Sequence, residues 1–119
     1  LGLSVQELGK VTAFLGGKAK TDVKLAALGA SPYLTMFGNV VVAWLLLQQA
    51  VLATAKLKAS GVPTEPGERQ RKLESDPEAK FYASKIETAK FFVHQVLSQN
   101  RWKAAQILSE DRSALEVVL

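Results

Sequence analysis

The chain has 119 residues, of which 48% are hydrophobic and 22% are charged, and its formal net charge is +4. This length suits one domain with its own core, and the apolar fraction excludes a disordered chain. The sequence has no cysteine and one histidine, His94. It therefore excludes a disulfide scaffold, a thiol nucleophile and any metal site or triad that needs several histidines. We predict no catalytic, cofactor-binding or metal-binding residue in this chain.

The start of the chain indicates a piece of a longer protein. The chain begins at Leu1, and its single methionine is Met36. The first residues do not show the order of features that is typical of a secretory signal, namely a basic segment, an apolar stretch and a cleavage site. We therefore expect a fragment, located in the cytoplasm.

The positive charge is scattered rather than gathered for nucleic acid. The surplus falls within residues 1–60, where the lysines stand singly, and the one tight basic run, Arg69–Lys72, lies between acidic residues. A surface that follows phosphates needs a concentrated positive stripe with aromatic side chains beside it. We therefore expect no binding to nucleic acid.

The first predicted helix begins with a capping signal. Ser4 followed by Glu7 forms a capping box, after which apolar residues recur at three- and four-residue spacing. The pair Gly16-Gly17 weakens the middle of this helix, but the apolar stripe continues beyond it. Residues 1–30 therefore form either one kinked helix or two shorter ones.

A second helix is predicted to follow a stop and a restart. In Gly29-Ala30-Ser31-Pro32, the glycine ends one helix, the serine caps the next, and the proline fits its first turn. The second helix runs to about Ala59, where Gly61 and Pro63 stop it. Residues 1–60 are thus predicted to form a helical hairpin.

The second helix is apolar on both sides. At about 100° per residue, its main apolar stripe contains Leu34, Phe37, Val41, Trp44, Leu45, Leu52 and Ala55. The opposite side contains Met36, Ala43, Leu46, Leu47 and Ala50. Such a helix is either central in a bundle or covered by a partner, and Gln48 within the stripe predicts a buried amide. A membrane span needs about 20 apolar residues, so the interruptions at Asn39 and Gln48-Gln49 argue against one.

The remaining chain is predicted to be a linker and two further helices. Residues 61–76 are rich in glycine, proline and charge and predict a charged linker. Ser75 or Asp76 caps a third helix, which ends near Gln99. A short helix and an apolar tail ending at Leu119 complete residues 77–119. The sequence therefore predicts one all-α domain over residues 1–119, an antiparallel bundle of three long helices plus a short C-terminal helix, resembling a four-helix bundle.

Four residues are predicted to lie at an interface. Phe91 falls opposite the core stripe of the third helix, and Leu46 and Leu47 lie on the excess apolar side of the second helix. Lys85 stands at the edge of the core stripe and is predicted to extend its ammonium group to the surface. A contact of Lys85 with an acidic or phosphate-bearing partner is the alternative. We expect the chain to form a homo-oligomer.

Two blocks of sequence carry a family resemblance. The block Gly29–Gly38 (GASPYLTMFG), continuing to Trp44, resembles the helix entry of the extra C-terminal helical domain in a bacterial branch of the acyl-CoA dehydrogenases. The block Phe81–Phe92 (FYASKIETAKFF) resembles the Phe-Tyr-x-x-Lys and Thr-Ala-x-Phe helix of the same domain. The chain departs from that pattern at Val42 and Ala43, where the family has very small residues.

The resemblance implies a module of an FAD-dependent oxidoreductase. Complete enzymes of the family form an α,β double bond in an acyl-CoA and pass the electrons to an electron-transfer flavoprotein. Their catalytic glutamate and their β-rich middle domain match nothing in this chain, so the chain alone is expected to be inactive. It would pack against the catalytic domains of the parent protein and support oligomer assembly. The alternative is a free-standing helical module that binds an anionic membrane surface or an acidic protein partner.

Overall fold

The computed structural model describes residues 1–118 and is 86% helical. Its elements are α1 (Gly2–Thr21), α2 (Val23–Ala59), α3 (Pro66–Ser75), α4 (Pro77–Gln95), a 3₁₀ turn (Leu97–Gln99), α5 (Asn100–Leu108) and a second 3₁₀ turn (Ser113–Leu115). Residues 1–118 contain no strand. The all-α prediction is confirmed, whereas the bundle of three long helices plus a short one stays a prediction.

Helix α1 begins before the predicted capping box. Leu1 is its N-cap residue, and the Val5 N–H donates to the Leu1 carbonyl at 2.9 Å. The capping-box prediction is wrong because Ser4 already lies inside the helix, whereas an N-cap residue needs a non-helical backbone. The pair Gly16-Gly17 does not interrupt α1, which continues to Thr21.

The junction between the first two helices lies at Asp22. This residue leaves the helical conformation (φ −148°, ψ 78°), and its carboxylate accepts the Leu25 N–H at 3.3 Å. Residues 1–30 therefore lie in two helices, α1 and the beginning of the long helix α2, with the break at Asp22 and not at Gly16-Gly17.

The predicted stop at Gly29–Pro32 is wrong. Helix α2 continues through Pro32, although a proline inside a helix removes one backbone hydrogen bond. Packing offsets this loss, because Gly29 and Met36, on either side of the proline, are both buried.

Residues 61–76, expected to be a linker, contain α3. Helix α2 ends where predicted, at Ala59, and Gly61 follows with a φ of 72°, in the left-handed region that favours glycine. The Glu65 carboxylate then accepts the N–H groups of Gly67 at 3.0 Å and Glu68 at 2.7 Å. A helix forms there because this cap and the proline at its first position favour one, and none of its residues is buried. The linker role of residues 61–76 stays a prediction.

The cap of α4 is Asp76. Its carboxylate accepts two N–H groups of the first turn at 3.1 and 3.2 Å. Helix α4 ends at Gln95, earlier than predicted, and a 3₁₀ turn leads into α5, which begins at Asn100. The predicted short C-terminal helix is therefore present, and the predicted apolar tail ends at Leu119, which lies outside the described residues.

The chain divides into two compact groups of residues. The first group comprises Leu1–Val41 and the chain from Gln95 onward, and the second group comprises Val42–His94. Helix α2 contributes residues to both groups. The expectation of one domain over residues 1–119 stays a prediction.

A small apolar cluster forms the core of the first group. Val11 of α1 and Met36 of α2 are both fully buried, and Ala104 and Ile107 of α5 pack with them. Four partly buried side chains surround the cluster: Leu8, Phe14, Leu15 and Tyr33. Three helices thus meet around Met36, and their apolar contacts stabilise the group.

One amide is buried in the first group, and it is not the predicted one. Asn100 is 1% exposed. Its side-chain nitrogen donates to the Met36 carbonyl at 3.0 Å, and its side-chain oxygen accepts from the Asn39 amide at 3.0 Å. Gln48, predicted to be buried, is exposed. A buried amide needs such partners, so Asn100 fixes the start of α5 on α2.

Two ion pairs hold the segment after α5 in the first group. Lys18 Nζ lies 2.7 Å from Glu110 Oε1, and Arg112 pairs with Asp22. Asp22 therefore serves both as the cap of α2 and as the partner of a guanidinium ninety positions later in the chain.

Acid is expected to destabilise the protein in part through Asp22. Partial desolvation alone would raise the pKa of Asp22, but the Leu25 N–H and the Arg112 guanidinium hold that pKa below its ordinary value. A lowered folded-state pKa stabilises the fold above the unfolded value of about 3.9, and the stabilisation is lost as the pH falls through the folded-state pKa. The midpoint temperature of thermal unfolding should therefore decrease as the pH is lowered from about 5 to about 3.

The variant Asp22→Asn separates this titration from capping. Asparagine is also a good N-cap residue, so the variant should lose stability at neutral pH through the Arg112 pair and vary less with pH. Circular dichroism melts of both proteins across this pH range measure the difference. Equal slopes for the two proteins would contradict the assignment to Asp22.

Candidate interaction surface

In the second group, α2 buries one side and exposes the other. Ala43, Ala53 and Leu57 are almost fully buried. Trp44 is 51% exposed and Leu52 is 67% exposed, although both belong to the stripe predicted as the main one. Ala43 and Ala53 on the buried side allow close packing, whereas Trp44 and Leu52 lie outward. The main stripe of the prediction is therefore the exposed side of α2.

Two adjoining grooves lie beside the exposed residues of α2. The first is lined by Trp44, Leu47, Gln48, Val51 and Leu52. The second is lined by Gln49, Leu52, Ala53, Phe81, Tyr82 and Lys85. Leu52 belongs to both grooves, so α2 and α4 together form one continuous surface. We call the residues that line the two grooves the α2–α4 surface.

Lys85 is the only charged side chain that lines either groove. It is half-buried, and its Nζ lies 5.1 Å from the centroid of the Phe81 ring. This distance permits a cation–π interaction. The ammonium group therefore stays beside the apolar surface instead of extending away from it.

A tyrosine hydroxyl lies at the same surface. Tyr82 Oη donates to Glu78 Oε1 at 3.3 Å. Burial, the nearby Glu78 charge and this hydrogen bond raise the pKa of Tyr82. The hydroxyl is therefore a neutral donor at physiological pH, and its partner Glu78 is engaged within α4.

The structure brings two of the four predicted interface residues onto the α2–α4 surface. Leu47 lines the first groove and Lys85 lines the second. Leu46 is half-buried and Phe91 is 62% exposed, and neither lines these grooves. The interface role of all four stays a prediction.

The sequence prediction did not name Trp44, Leu52 and Phe81 as interface residues. The signal that points to the two residues of α2 is the composition of that helix, because residues 25–55 contain no charged side chain. For Phe81, the 55% exposure becomes visible only in the structure.

The lining of the grooves suits non-covalent binding of an apolar surface. Among residues 1–118, no group of three or more metal-ligating side chains lies close together. The two grooves are open and mostly apolar, so they lack the convergent polar groups that fix a flavin and its phosphates. FAD therefore does not fit the α2–α4 surface.

Helix α2 is long and apolar enough to cross a membrane. Its best window has a mean hydropathy of 1.7, and 22% of that window is buried within the protein. Core helices of water-soluble proteins also reach such values, so length and composition alone do not assign α2 to a membrane.

Comparison with known families identifies the class of the chain. The family model described as acetyl-CoA dehydrogenase C-terminal like matches residues 1–117. The chain therefore belongs to this family of acyl-CoA dehydrogenase C-terminal domains, as the blocks around Gly29 and Phe81 indicated. Neither the curated proteins nor the solved structures compared with the chain gave a significant match.

Proposed function

We propose that this chain is the C-terminal helical module of an acyl-CoA dehydrogenase-like enzyme and that its α2–α4 surface packs against the catalytic domains. The observation that carries the proposal is the exposure of Trp44, Leu52 and Phe81 around two adjoining apolar grooves. The description of the matched family, acetyl-CoA dehydrogenase C-terminal like, supports our choice of dehydrogenase catalytic domains as the partner. The module supports oligomer assembly and has no catalytic residue of its own.

In this proposal the chemistry belongs to the other domains. FAD, the acyl-CoA substrate and the electron-transfer flavoprotein are bound by the catalytic part of the parent enzyme, in the cytoplasm. This division agrees with the open, apolar lining of the α2–α4 surface, which does not fit a flavin. The contribution of the module is contact area rather than reacting groups.

Burial of the exposed side chains would provide the driving force. Removing a leucine-sized side chain fully from water contributes about 1.5–3 kcal/mol, and aromatic side chains bury about 150–250 Å² each. Interfaces concentrate their binding free energy in a few central residues, among which tryptophan is enriched. Trp44, which is about half exposed within the first groove, is the expected anchor.

The variant Trp44→Glu should disrupt assembly of the protein as it occurs naturally. Loss of a central anchor costs at least about 2 kcal/mol, which raises the dissociation constant about 30-fold. Sedimentation velocity measures the oligomeric state, and limited proteolysis measures release of the module from the catalytic domains.

The matched control is Thr54→Glu, which places the same charge on an exposed polar position of α2. It should leave both measurements unchanged. If Trp44→Glu behaved like this control, with an unaltered circular dichroism spectrum, the proposal that the α2–α4 surface packs against the catalytic domains would be wrong.

A second candidate function is binding to an anionic membrane surface. The observation that favours it is the uncharged stretch of residues 25–55 in α2, which lies between Lys24 and Lys56. Such binding combines apolar burial with attraction of lysines to acidic lipids, and it weakens as salt screens the charges. Co-sedimentation of the natural protein with phosphatidylglycerol vesicles at low and high salt tests it.

A further inference from the structure

We propose that residues 110–115 form a strap that closes a cavity in the first group and that opens when salt screens its two ion pairs. The strap follows α5 and includes the second 3₁₀ turn, Ser113–Leu115. This inference goes beyond the proposed function, because the strap and the cavity belong to the first group and share no residue with the α2–α4 surface.

The cavity between the strap and the helices has a volume of about 130 Å³. Its walls come from α2, α5 and the strap: Leu25, Leu28, Gly29, Pro32, Gln106, Ile107, Asp111 and Ala114. Leu25 is 6% exposed and Ile107 is 7% exposed. A space of this size can hold water, so the strap is not packed tightly against these two apolar side chains.

Charge rather than apolar packing holds the strap. Its 3₁₀ turn has no buried residue, and Leu115 is only half-buried. The strap is attached through Glu110, whose Oε1 lies 2.7 Å from Lys18 Nζ, and through Arg112, which pairs with Asp22. All four side chains are between 29% and 49% exposed. Such ion pairs contribute little each and weaken as salt is added, so the closed strap is held weakly.

The backbone at Glu110 opposes the closed position. Its φ of 58° lies in the left-handed region, and no other non-glycine residue among residues 1–118 has a positive φ. A side chain in this conformation strains the backbone, and the strain is released when the strap opens. The ion pair between Lys18 and Glu110 offsets the strain in the closed position. The strap is therefore poised between a closed and an open position.

Thiol modification at two walls of the cavity tests the inference, since this chain has no cysteine of its own. Leu25→Cys and Ile107→Cys, made separately in the natural protein, place a thiol on α2 and on α5. Mass spectrometry measures how fast iodoacetamide modifies each thiol. Both rates should rise between about 0.01 M and about 1 M salt, because the Debye length falls from about 30 Å to about 3 Å over this range.

Removal of one ion pair should have the same effect as salt. Lys18→Gln should raise both rates by up to about fivefold at low salt, as expected for an exposed ion pair, and should reduce the further increase with salt. When Glu110→Gly is added to Lys18→Gln, the rates should fall again, because glycine adopts the left-handed conformation without strain. A strap without backbone strain would instead become more mobile with glycine.

Two controls separate opening of the strap from other motions. Lys90→Gln removes an exposed ion pair of α4 and should leave both rates unchanged. Ala104→Cys places a thiol in the core of the first group, away from the cavity walls, and should stay unreactive at both salt concentrations.

Four results would overturn the inference. Modification could be independent of salt, or Lys18→Gln could behave like Lys90→Gln. A response of Leu25→Cys without one of Ile107→Cys would assign the exposure to fraying at the start of α2. Equal acceleration of Ala104→Cys would assign it to unfolding of the whole first group.

Discussion

Replacing Met36 by alanine is expected to lower the free energy of unfolding by about 2–5 kcal/mol. Met36 is fully buried in the core of the first group, where it packs with Val11 of α1 and with Ala104 and Ile107 of α5. Truncation leaves a cavity that the three surrounding helices cannot fill by moving inward. The cost of this cavity adds to the transfer free energy that is lost with the side chain. Because small domains are stabilised by about 5–15 kcal/mol in total, this one change removes a large share.

Urea unfolding monitored by circular dichroism measures the loss. The control is Met36→Leu, which conserves volume and should cost less than about 1.5 kcal/mol. The two variants distinguish packing at this site from a general sensitivity of α2 to substitution. An equal and small loss in both would show that Met36 does not hold the three helices together.

Replacing Gly29 by leucine is expected to lower the free energy of unfolding by about 1–3 kcal/mol through overpacking. Gly29 is buried, and a Cβ atom built there would lie 2.7 Å from Leu15 Cδ2 and 3.4 Å from Ile107 Cγ2. A single methyl group is accommodated by rotation of the flexible Leu15 side chain, whereas a whole leucine must separate α2 from α1 or α5. The strain outweighs the gain of about 1 kcal/mol that a helix obtains when glycine is replaced.

The same substitution at Gly16 provides the control. Gly16 lies inside α1, is exposed, and has no atom within 4 Å of a built Cβ. Gly16→Leu should therefore be neutral or stabilising in the same urea titration. Destabilisation of equal size at both positions would assign the effect to glycine replacement itself and not to the close approach of the helices at Gly29.

The sequence predicted helices better than it predicted their ends. Periodic apolar spacing identifies the helical character of α1, α2 and α4, because this spacing follows from the helix itself. The junction at Asp22 and the continuity through Pro32 depend on contacts between segments far apart in the chain, such as Arg112 with Asp22. The local signal at Gly29–Pro32 was a real preference that packing around the buried Gly29 and Met36 overrode.

The candidate surface was predicted only in part, for a related reason. A helix that is apolar on both sides does not reveal which side faces the core, since both sides satisfy the same periodicity. The choice is made by Ala43 and Ala53, whose small side chains allow close packing in the second group. A charge beside a core stripe distinguishes Lys85 in the sequence, but the position of its ammonium group over the Phe81 ring depends on the fold.

The buried Asn100 fixes the position of α5 along α2 as well as holding the two helices together. Apolar contacts around Ile107 would tolerate a helix that slid by a turn, because methyl groups have no direction. The Asn100 amide does not tolerate such a shift. Any displacement would leave its own polar atoms and the Asn39 amide without hydrogen-bond partners in an apolar interior. A shifted arrangement therefore loses more free energy through unpaired polar groups than the native arrangement gains from these hydrogen bonds. This difference restricts the first group to a single arrangement.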